Sequence, residues 1–189
     1  MCIRDSSLKE ATSDLVEAEE VYRHVPTFPL DENGQGNAHV SFVFSAHRAV
    51  VDVDQELGLV KVVELITSQD VGRVLNPLQL QGQLEGGAAQ GLGLAVMEEI
   101  NVVDGRILNP SFTDYLLPTA LDMPPVEIAA LIEQPEPNAP FGAKGVGEPP
   151  AISSTAAIAS AVRNATGLDL HRVPIRPADI VFPERTDND

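Results

Sequence analysis

The segment Phe141–Pro150 constrains the fold of this chain more than any other, because it combines closely spaced glycines with two consecutive prolines. Its sequence is Phe-Gly-Ala-Lys-Gly-Val-Gly-Glu-Pro-Pro. Glycine accepts backbone conformations that other residues avoid, so the three glycines predict a tight loop lying close to other atoms. The ring of Pro149 favours an extended backbone at Glu148, and Pro150 suits the first turn of a helix. We therefore predict a glycine loop, an extended glutamate and then a helix.

The predicted helix after this loop has one apolar face and a glycine at its end. Gly167 stands where a helix commonly stops, and the apolar face is formed by Ala151, Ile158, Ala161, Val162 and Ala165. A helix N-terminus presents free N–H groups and the positive end of the helix dipole, which predicts an anion-binding corner. From spacing alone, Glu148 is either a base held at that corner or a residue that complements the dipole.

A second glycine-rich stretch, Leu78–Glu99, has the longest helical pattern in the chain. Apolar residues recur every four positions at Leu80, Leu84, Ala88, Leu92 and Val96. Five glycines also lie within it; four of them, Gly86, Gly87, Gly91 and Gly93, cluster in its middle, and each costs about 0.5–1 kcal/mol relative to alanine inside a helix. We therefore expect that a second helix packs closely here or that a ligand lies against this helix. Gln83 shares a face with Gly87 and places a polar group beside the bare backbone.

Alternating apolar residues predict strands before and between the two helices. His39–Val53 and Leu59–Thr67 have the pattern of an antiparallel hairpin, Ile100–Leu108 that of a tight hairpin, and Val126–Ile132 that of a further strand. This order is not a regular βαβ series, so we predict an α+β fold. Residues 14–183 are expected to form the domain, with an unrelated stretch at 1–13 and a frayed tail at 184–189.

Composition excludes several classes of function. The net charge of −16 disfavours a nucleic-acid backbone or an anionic membrane surface as partner. A single cysteine, Cys2, allows no disulfide within the chain and no iron–sulfur cluster held by this chain alone. Any electrons from a redox reaction must therefore leave through another domain or chain. The four histidines, His47 among them, are scattered without metal-ligand spacing, so we predict no metal held by side chains.

Both glycine-rich segments resemble active-site segments of the molybdenum hydroxylases, the xanthine dehydrogenase and aldehyde oxidase family. The matching sequences are Gly-Ala-Lys-Gly-Val-Gly-Glu-Pro-Pro and, upstream, Asn-Pro followed by Gly-Gln-Leu-Glu-Gly-Gly-Ala-Ala-Gln-Gly-Leu-Gly. The likeness extends from about Val16 to about Ile180. The connecting segments are most similar to the large, molybdopterin-binding subunit of bacterial purine-catabolic xanthine dehydrogenases. Such large subunits are several times longer, so the resemblance identifies this chain with the C-terminal part of the second molybdopterin-binding domain.

The resemblance also implies roles for particular residues. Glu148 matches the active-site base of the family, which we expect to be buried, and Gln83 matches a glutamine that contacts the cofactor near the metal. Further cofactor contacts are expected from the loop residues Lys144, Gly145, Val146 and Gly147. Lys144 either adds positive charge at the cofactor or faces solvent, and both alternatives stay open.

The implied reaction is the hydroxylation of an electron-poor carbon beside a ring nitrogen, with water as the oxygen source. The resemblance implies a molybdenum–molybdopterin cofactor in this chain, with FAD and 2Fe–2S clusters on partner subunits, in the cytoplasm. A purine is the expected substrate, converted from hypoxanthine or xanthine to urate. The alternatives are a hydroxylase of the same fold acting on an aldehyde, another N-heterocycle or carbon monoxide, and a non-catalytic structural piece.

Overall fold

A three-stranded sheet carries the two long helices of this chain. A computed structural model describes residues 17–183, and the predictions for 1–13 and 184–189 lie outside that range. The elements in chain order are β1 Ser45–Asp54, β2 Leu59–Asp70, α1 Pro77–Val96, β3 Val102–Val103, β4 Arg106–Ile107, β5 Val126–Ile132, a 3₁₀ turn Pro140–Gly142, α2 Pro149–Thr166 and α3 Pro177–Val181. The sheet has the order β1–β2–β5, with β1 antiparallel and β5 parallel to β2. The α+β prediction is confirmed.

The predicted hairpin of β1 and β2 is present, but its first strand is shorter than expected. The Asp54 carboxylate accepts hydrogen bonds from the backbone N–H groups of Glu56 at 3.0 Å and Leu57 at 2.9 Å, which closes the turn. The strand begins at Ser45 rather than His39. Ser45 pairs with Gln69, and the Phe44 carbonyl still accepts a hydrogen bond from the N–H of Asp70, the last residue of β2, at 2.8 Å, so the residues before Phe44 lie beyond the end of β2. The alternating apolar pattern therefore continues beyond the point where pairing stops.

Helix α1 begins with a local signal and buries the predicted face. Asn76 is the N-cap: its side-chain oxygen accepts a hydrogen bond from the Gln79 N–H at 3.1 Å, and Pro77 follows at the first helical position. The predicted positions Leu80, Leu84, Ala88 and Leu92 are buried, and Val96 is half-buried. Part of this face joins Val62 and Leu65 of β2 and Ile158 of α2 in one core cluster. The hydrophobic effect over this cluster holds α1 and α2 on the sheet.

Close packing of α1 against α2 explains two of the glycines in α1. A Cβ atom added at Gly87 would lie 2.7 Å from the Pro150 Cβ, well inside van der Waals contact. At Gly91 it would overlap the Ser154 hydroxyl and lie 2.9 Å from the Ala151 carbonyl oxygen. The Thr155 hydroxyl also donates a hydrogen bond to the Gly91 carbonyl at 3.0 Å. The sequence offered two explanations for the glycines, a closely packed second helix or a ligand. At Gly87 and Gly91 the explanation is the second helix.

Helix α2 ends as predicted but begins differently. Gly167 has a left-handed φ of 72°, and its N–H donates to the Arg163 carbonyl at 2.9 Å, as expected of a glycine stop. Glu148 is helical, with φ −83° and ψ −39°, so the predicted extended glutamate is wrong. Its carbonyl accepts hydrogen bonds from the N–H groups of Ala151 at 3.0 Å and Ile152 at 3.2 Å, which offset the steric preference set by the following proline. Ala165, predicted to be on the buried face, is exposed.

The remaining elements are short. Strands β3 and β4 form the predicted tight hairpin, with positive φ at both Asp104 and Gly105 of its turn. Helix α3 buries Ile180 in a third cluster with Val162 and Ile175. Neither long helix, nor any other helix within residues 17–183, has the length and apolar composition needed to cross a membrane.

Candidate functional site

The two glycine-rich motifs meet at one cleft. The cleft has a volume of about 230 Å³ and lies between the N-terminal half of α1 and the loop before α2. Gln79 and Gln83 line it from α1, and Ala143, Lys144 and Val146 line it from the loop. A Cβ atom at Gly147 would lie 3.8 Å from the Gln83 side-chain oxygen. The structure thus brings together Gln83 and the loop, which are about sixty residues apart in the chain.

A buried ion pair anchors the first half of the loop. The Lys144 Nζ lies 2.6 Å from the Asp70 carboxylate at the end of β2, and the two side chains are only 8% and 6% exposed. The Lys144 N–H also donates to the Val71 carbonyl at 3.2 Å, and the Arg73 N–H donates to the Gly142 carbonyl at 2.9 Å. The alternative in which Lys144 faces solvent is therefore wrong. Its charge is paired inside the chain, and its predicted contact with a cofactor stays a prediction.

The second half of the loop offers a run of backbone donors. Within residues 17–183, the N–H groups of Gly145, Val146, Gly147 and Glu148 have no hydrogen-bond acceptor. Gly145 and Gly147 are exposed, and a Cβ at Gly145 would have no atom within 4 Å. Backbone N–H groups that have no acceptor among the described residues are available to donate hydrogen bonds to an anion. Residues 145–148 are therefore a candidate for backbone contacts to a phosphate group.

The N-terminus of α2 does not supply the free donors that the sequence predicted. Its first two helical positions are Pro149 and Pro150, which have no N–H, and the Ala151 N–H is bonded to the Glu148 carbonyl. The prediction of free N–H groups on this helix end is therefore wrong. The donors lie before the helix, in the glycine loop itself.

Glu148 stands at the junction of the loop and α2. Its side chain makes no capping hydrogen bond and is exposed. The prediction that Glu148 is buried is therefore wrong in the part of the chain that the structure describes, residues 17–183. A carboxylate in this position has both oxygens available to accept a proton.

A polar cluster that the sequence did not reveal lies behind this junction. The His47 Nδ1 on β1 and the Ser45 hydroxyl lie 2.7 and 2.8 Å from the Ser153 hydroxyl on α2. Burial lowers the pKa of His47, because desolvation disfavours the charged imidazolium. The sequence shows His47 only as one of four scattered histidines, and a serine in an alanine-rich helix carries no motif. No spacing signal would have linked residues more than a hundred positions apart.

The donor set fits an anionic, phosphate-bearing cofactor. The four unpaired N–H groups of residues 145–148 can donate hydrogen bonds to anion oxygens, whereas the Lys144 ammonium of the same loop is already paired with Asp70. The open space at Gly145 allows a ligand to approach the backbone closely. Gln83 adds an amide that both donates and accepts hydrogen bonds.

Comparisons with known proteins show what this chain is similar to. The family described as "Molybdopterin cofactor-binding domain" matches residues 4–124. The chain is 38% identical, over 147 residues, to the "6-hydroxypseudooxynicotine dehydrogenase complex subunit gamma" of Paenarthrobacter nicotinovorans. It is 35% identical, over 164 residues, to a probable xanthine dehydrogenase subunit of Bacillus subtilis. The aldehyde oxidoreductase structure from Desulfovibrio desulfuricans superposes with a TM-score of 0.76 at 30% identity.

These matches cover most of the chain but a small part of each relative. They cover 76%, 87% and 83% of this chain in the order given. The same matches cover 18%, 22% and 17% of the relatives. The chain therefore spans about a fifth of the length of the proteins that it matches.

Proposed function

Because this chain belongs to the molybdopterin cofactor-binding domain family of the molybdenum hydroxylases, we propose that it forms one wall of the active site in an oxidoreductase large subunit. The reaction is the hydroxylation of a carbon beside a ring nitrogen. Partner subunits carry FAD and 2Fe–2S clusters, and the complex works in the cytoplasm. Gln83, Lys144, Gly145, Val146 and Gly147 contact the cofactor, and Glu148 is the base.

The observation that carries this proposal is the closeness of Gly147 to Gln83, a residue that lines the cleft. The side-chain oxygen of Gln83 is 3.8 Å from the position that a Cβ of Gly147 would take. Four unpaired backbone N–H groups follow each other from Gly145 to Glu148 beside it, within the part of the chain that the structure describes. The Gln83 amide, which lines the cleft, thus lies close to a segment that has unpaired backbone N–H groups among the described residues and that ends at the Glu148 carboxylate.

Glu148 acts in this proposal as a proton acceptor. The substrate C–H becomes C–OH with an oxygen from water, and two electrons and two protons leave. When bound, the molybdenum cofactor supplies the two-electron oxidation. A Glu148 carboxylate oxygen accepts the proton of the attacking oxygen, which strengthens that oxygen as a nucleophile. The helical conformation of Glu148 fixes its Cβ direction at the start of α2, so the carboxylate is tied to a rigid element.

We propose a purine, hypoxanthine or xanthine, as the substrate. The similarity to a probable xanthine dehydrogenase subunit over 87% of the chain supports this choice. Other relatives are named for different substrates, and the described residues contain no pocket that distinguishes a purine from an aldehyde or another heterocycle. Substrate choice is therefore an outcome of the experiment below.

The test uses the full-length large subunit assembled with its partner subunits. Xanthine or hypoxanthine is added without oxygen, and the absorbance of the flavin and the iron–sulfur clusters is followed. We expect bleaching in the wild type and a rate at least about 100-fold lower in Glu148→Gln, because general base catalysis contributes that much or more. Glu56→Gln, an exposed carboxylate in the β1–β2 turn, is the matched control and is expected to behave as the wild type.

Three results would change the proposal in different ways. Bleaching with an aldehyde or another heterocycle, but not with purines, would replace the substrate and keep the base. Glu148→Gln bleaching as fast as the wild type would remove Glu148 from the mechanism. Molybdenum and pterin content, measured in each variant, separates loss of the base from loss of the cofactor.

A further inference from the structure

The first turn of α2 is held from the sheet side by three polar side chains. Ser45 and His47 point from β1 and Ser153 from α2, with the Ser153 hydroxyl at the centre, 2.8 Å from the Ser45 hydroxyl and 2.7 Å from the His47 Nδ1. All three residues are part-buried. We refer to Ser45, His47 and Ser153 as the β1–α2 cluster.

This cluster converges on the residue next to Glu148. The Ser45 hydroxyl donates to the Pro149 carbonyl at 3.3 Å, and the Ser153 hydroxyl lies 3.4 Å from the same oxygen. On the opposite side, Pro150 packs against the bare backbone of Gly87 in α1. The first turn of α2 is therefore seated between a polar contact with the sheet and an apolar contact with the other helix.

Burying His47 at this position lowers the stability of the folded chain more than burying an apolar residue would. Its Nδ1 is used in the cluster, whereas its Nε2 is buried without a hydrogen-bond partner within residues 17–183. Burying an unpaired ring nitrogen disfavours the folded state, and an apolar side chain of similar size would avoid that cost. A histidine in this position is explained if its hydrogen bond to Ser153 is needed to fix the position of the first turn of α2.

We propose that Ser45, His47 and Ser153 are positioning residues for Glu148, and that they determine where the carboxylate stands relative to the cleft. The route is short: the cluster holds the Pro149 carbonyl, and Pro149 is bonded directly to Glu148. The Glu148 carbonyl in turn accepts the first N–H groups of α2. This inference rests on the proposed role of Glu148 as the base.

The test measures the anaerobic reductive half-reaction of the full-length, assembled enzyme in His47→Ala, Ser153→Ala and the double variant. We expect the limiting rate to fall by about 10- to 100-fold with little change in substrate affinity, because a displacement of about 1 Å at the reacting groups costs that much. The double variant should be no slower than the slower single variant, since both remove the same contact. His47→Asn, whose amide reaches the Nδ1 position, should restore the rate, and His47→Gln should not.

A second readout does not depend on the bound cofactor. Amide hydrogen exchange at Ala151 and Ile152, whose N–H groups bond to the Glu148 carbonyl, should speed up in His47→Ala and Ser153→Ala. The control is Ser160→Ala, an exposed serine on the same helix, which should change neither exchange nor rate. If His47→Ala does not assemble, Ser153→Ala, which removes one oxygen atom, answers the same question.

The outcomes separate this inference from the proposed function. Wild-type rates in His47→Ala and Ser153→Ala, alongside an inactive Glu148→Gln, would overturn the positioning role alone. Rates that fall only in proportion to molybdenum content would also overturn it, because the cluster would then serve stability and not geometry. A fully active Glu148→Gln would overturn the proposed base and, with it, this inference.

Discussion

The contact of α1 with α2 at Gly91 allows a quantitative test of how the two motifs are brought together. In Gly91→Ala the added Cβ overlaps the Ser154 hydroxyl and lies 2.9 Å from the Ala151 carbonyl oxygen. Ser154 is fully buried, and its hydroxyl donates to the Pro150 carbonyl at 2.6 Å. The side chain therefore cannot move aside without losing that bond, and otherwise the two helices must separate.

The magnitude follows from a matched control on the same helix. A Cβ at Gly86 has no atom within 4 Å, so Gly86→Ala gains helix propensity, about 0.5–1 kcal/mol, without a clash. Gly91→Ala gains the same propensity and in addition loses about 1–3 kcal/mol through overpacking. The propensity gain cancels in the difference between the variants, which is therefore about 1–3 kcal/mol. For a chain of this length that difference is about 2–12 °C in Tm.

The assay is urea and thermal unfolding of the 189-residue chain, followed by circular dichroism. We expect Gly86→Ala to be more stable than the wild type and Gly91→Ala to be less stable. In a Ser154→Ala background, which removes the overlapping oxygen, the difference between the two glycine positions should shrink. Equal stabilisation at both positions would refute the helix contact, and so would a difference that Ser154→Ala leaves unchanged.

Two further predictions concern charged or titratable groups. Lys144→Met leaves the Asp70 carboxylate buried without its partner, so we expect the free energy of unfolding to fall by about 3–5 kcal/mol in urea denaturation, and to recover largely when Asp70→Leu is added. No recovery would show that the ion pair is not the cause. For His47, whose pKa is lowered by burial from 6.5, the unfolded chain binds more protons just below that pH. Stability that is present above pH 6.5 should therefore be lost as the pH falls. His47→Asn, which does not titrate, should show less of that loss in unfolding curves recorded from about pH 5 to about pH 8.

Elements with local signals were predictable from the sequence. Strand β5 has the bounds that its apolar pattern predicts, and α1 begins at Pro77 after an Asn76 cap. Gly167 ends α2 in a left-handed conformation, as a glycine after an apolar helical face predicts. Caps, prolines and glycine stops act through atoms a few residues away, so the sequence contains the whole of the signal.

Predictions that depend on partners elsewhere in the chain are less reliable. The start of β1 is predicted too early because the residue opposite a strand cannot be read from its own pattern. Glu148 is predicted to be extended from its proline neighbour, but it is helical and begins a turn whose Pro149 carbonyl accepts a hydrogen bond from Ser45, 104 residues away. For Lys144 the sequence leaves two alternatives open, a contact with the cofactor or exposure to solvent. Neither includes its actual partner, Asp70, which lies 74 residues away.

The sequence by itself determined the residues worth testing and the family to which the chain belongs. Two motifs, whose order and residue types can be read directly from the sequence, contain Gln83, residues 144–147 and Glu148. Only the tertiary structure decided that Gln83 lies beside Gly147, that Lys144 is neutralised by Asp70, and that Ser45, His47 and Ser153 meet behind Glu148. The physical reason is that periodicity reports which face of an element is buried, whereas the partner on that face is set by how separate elements pack.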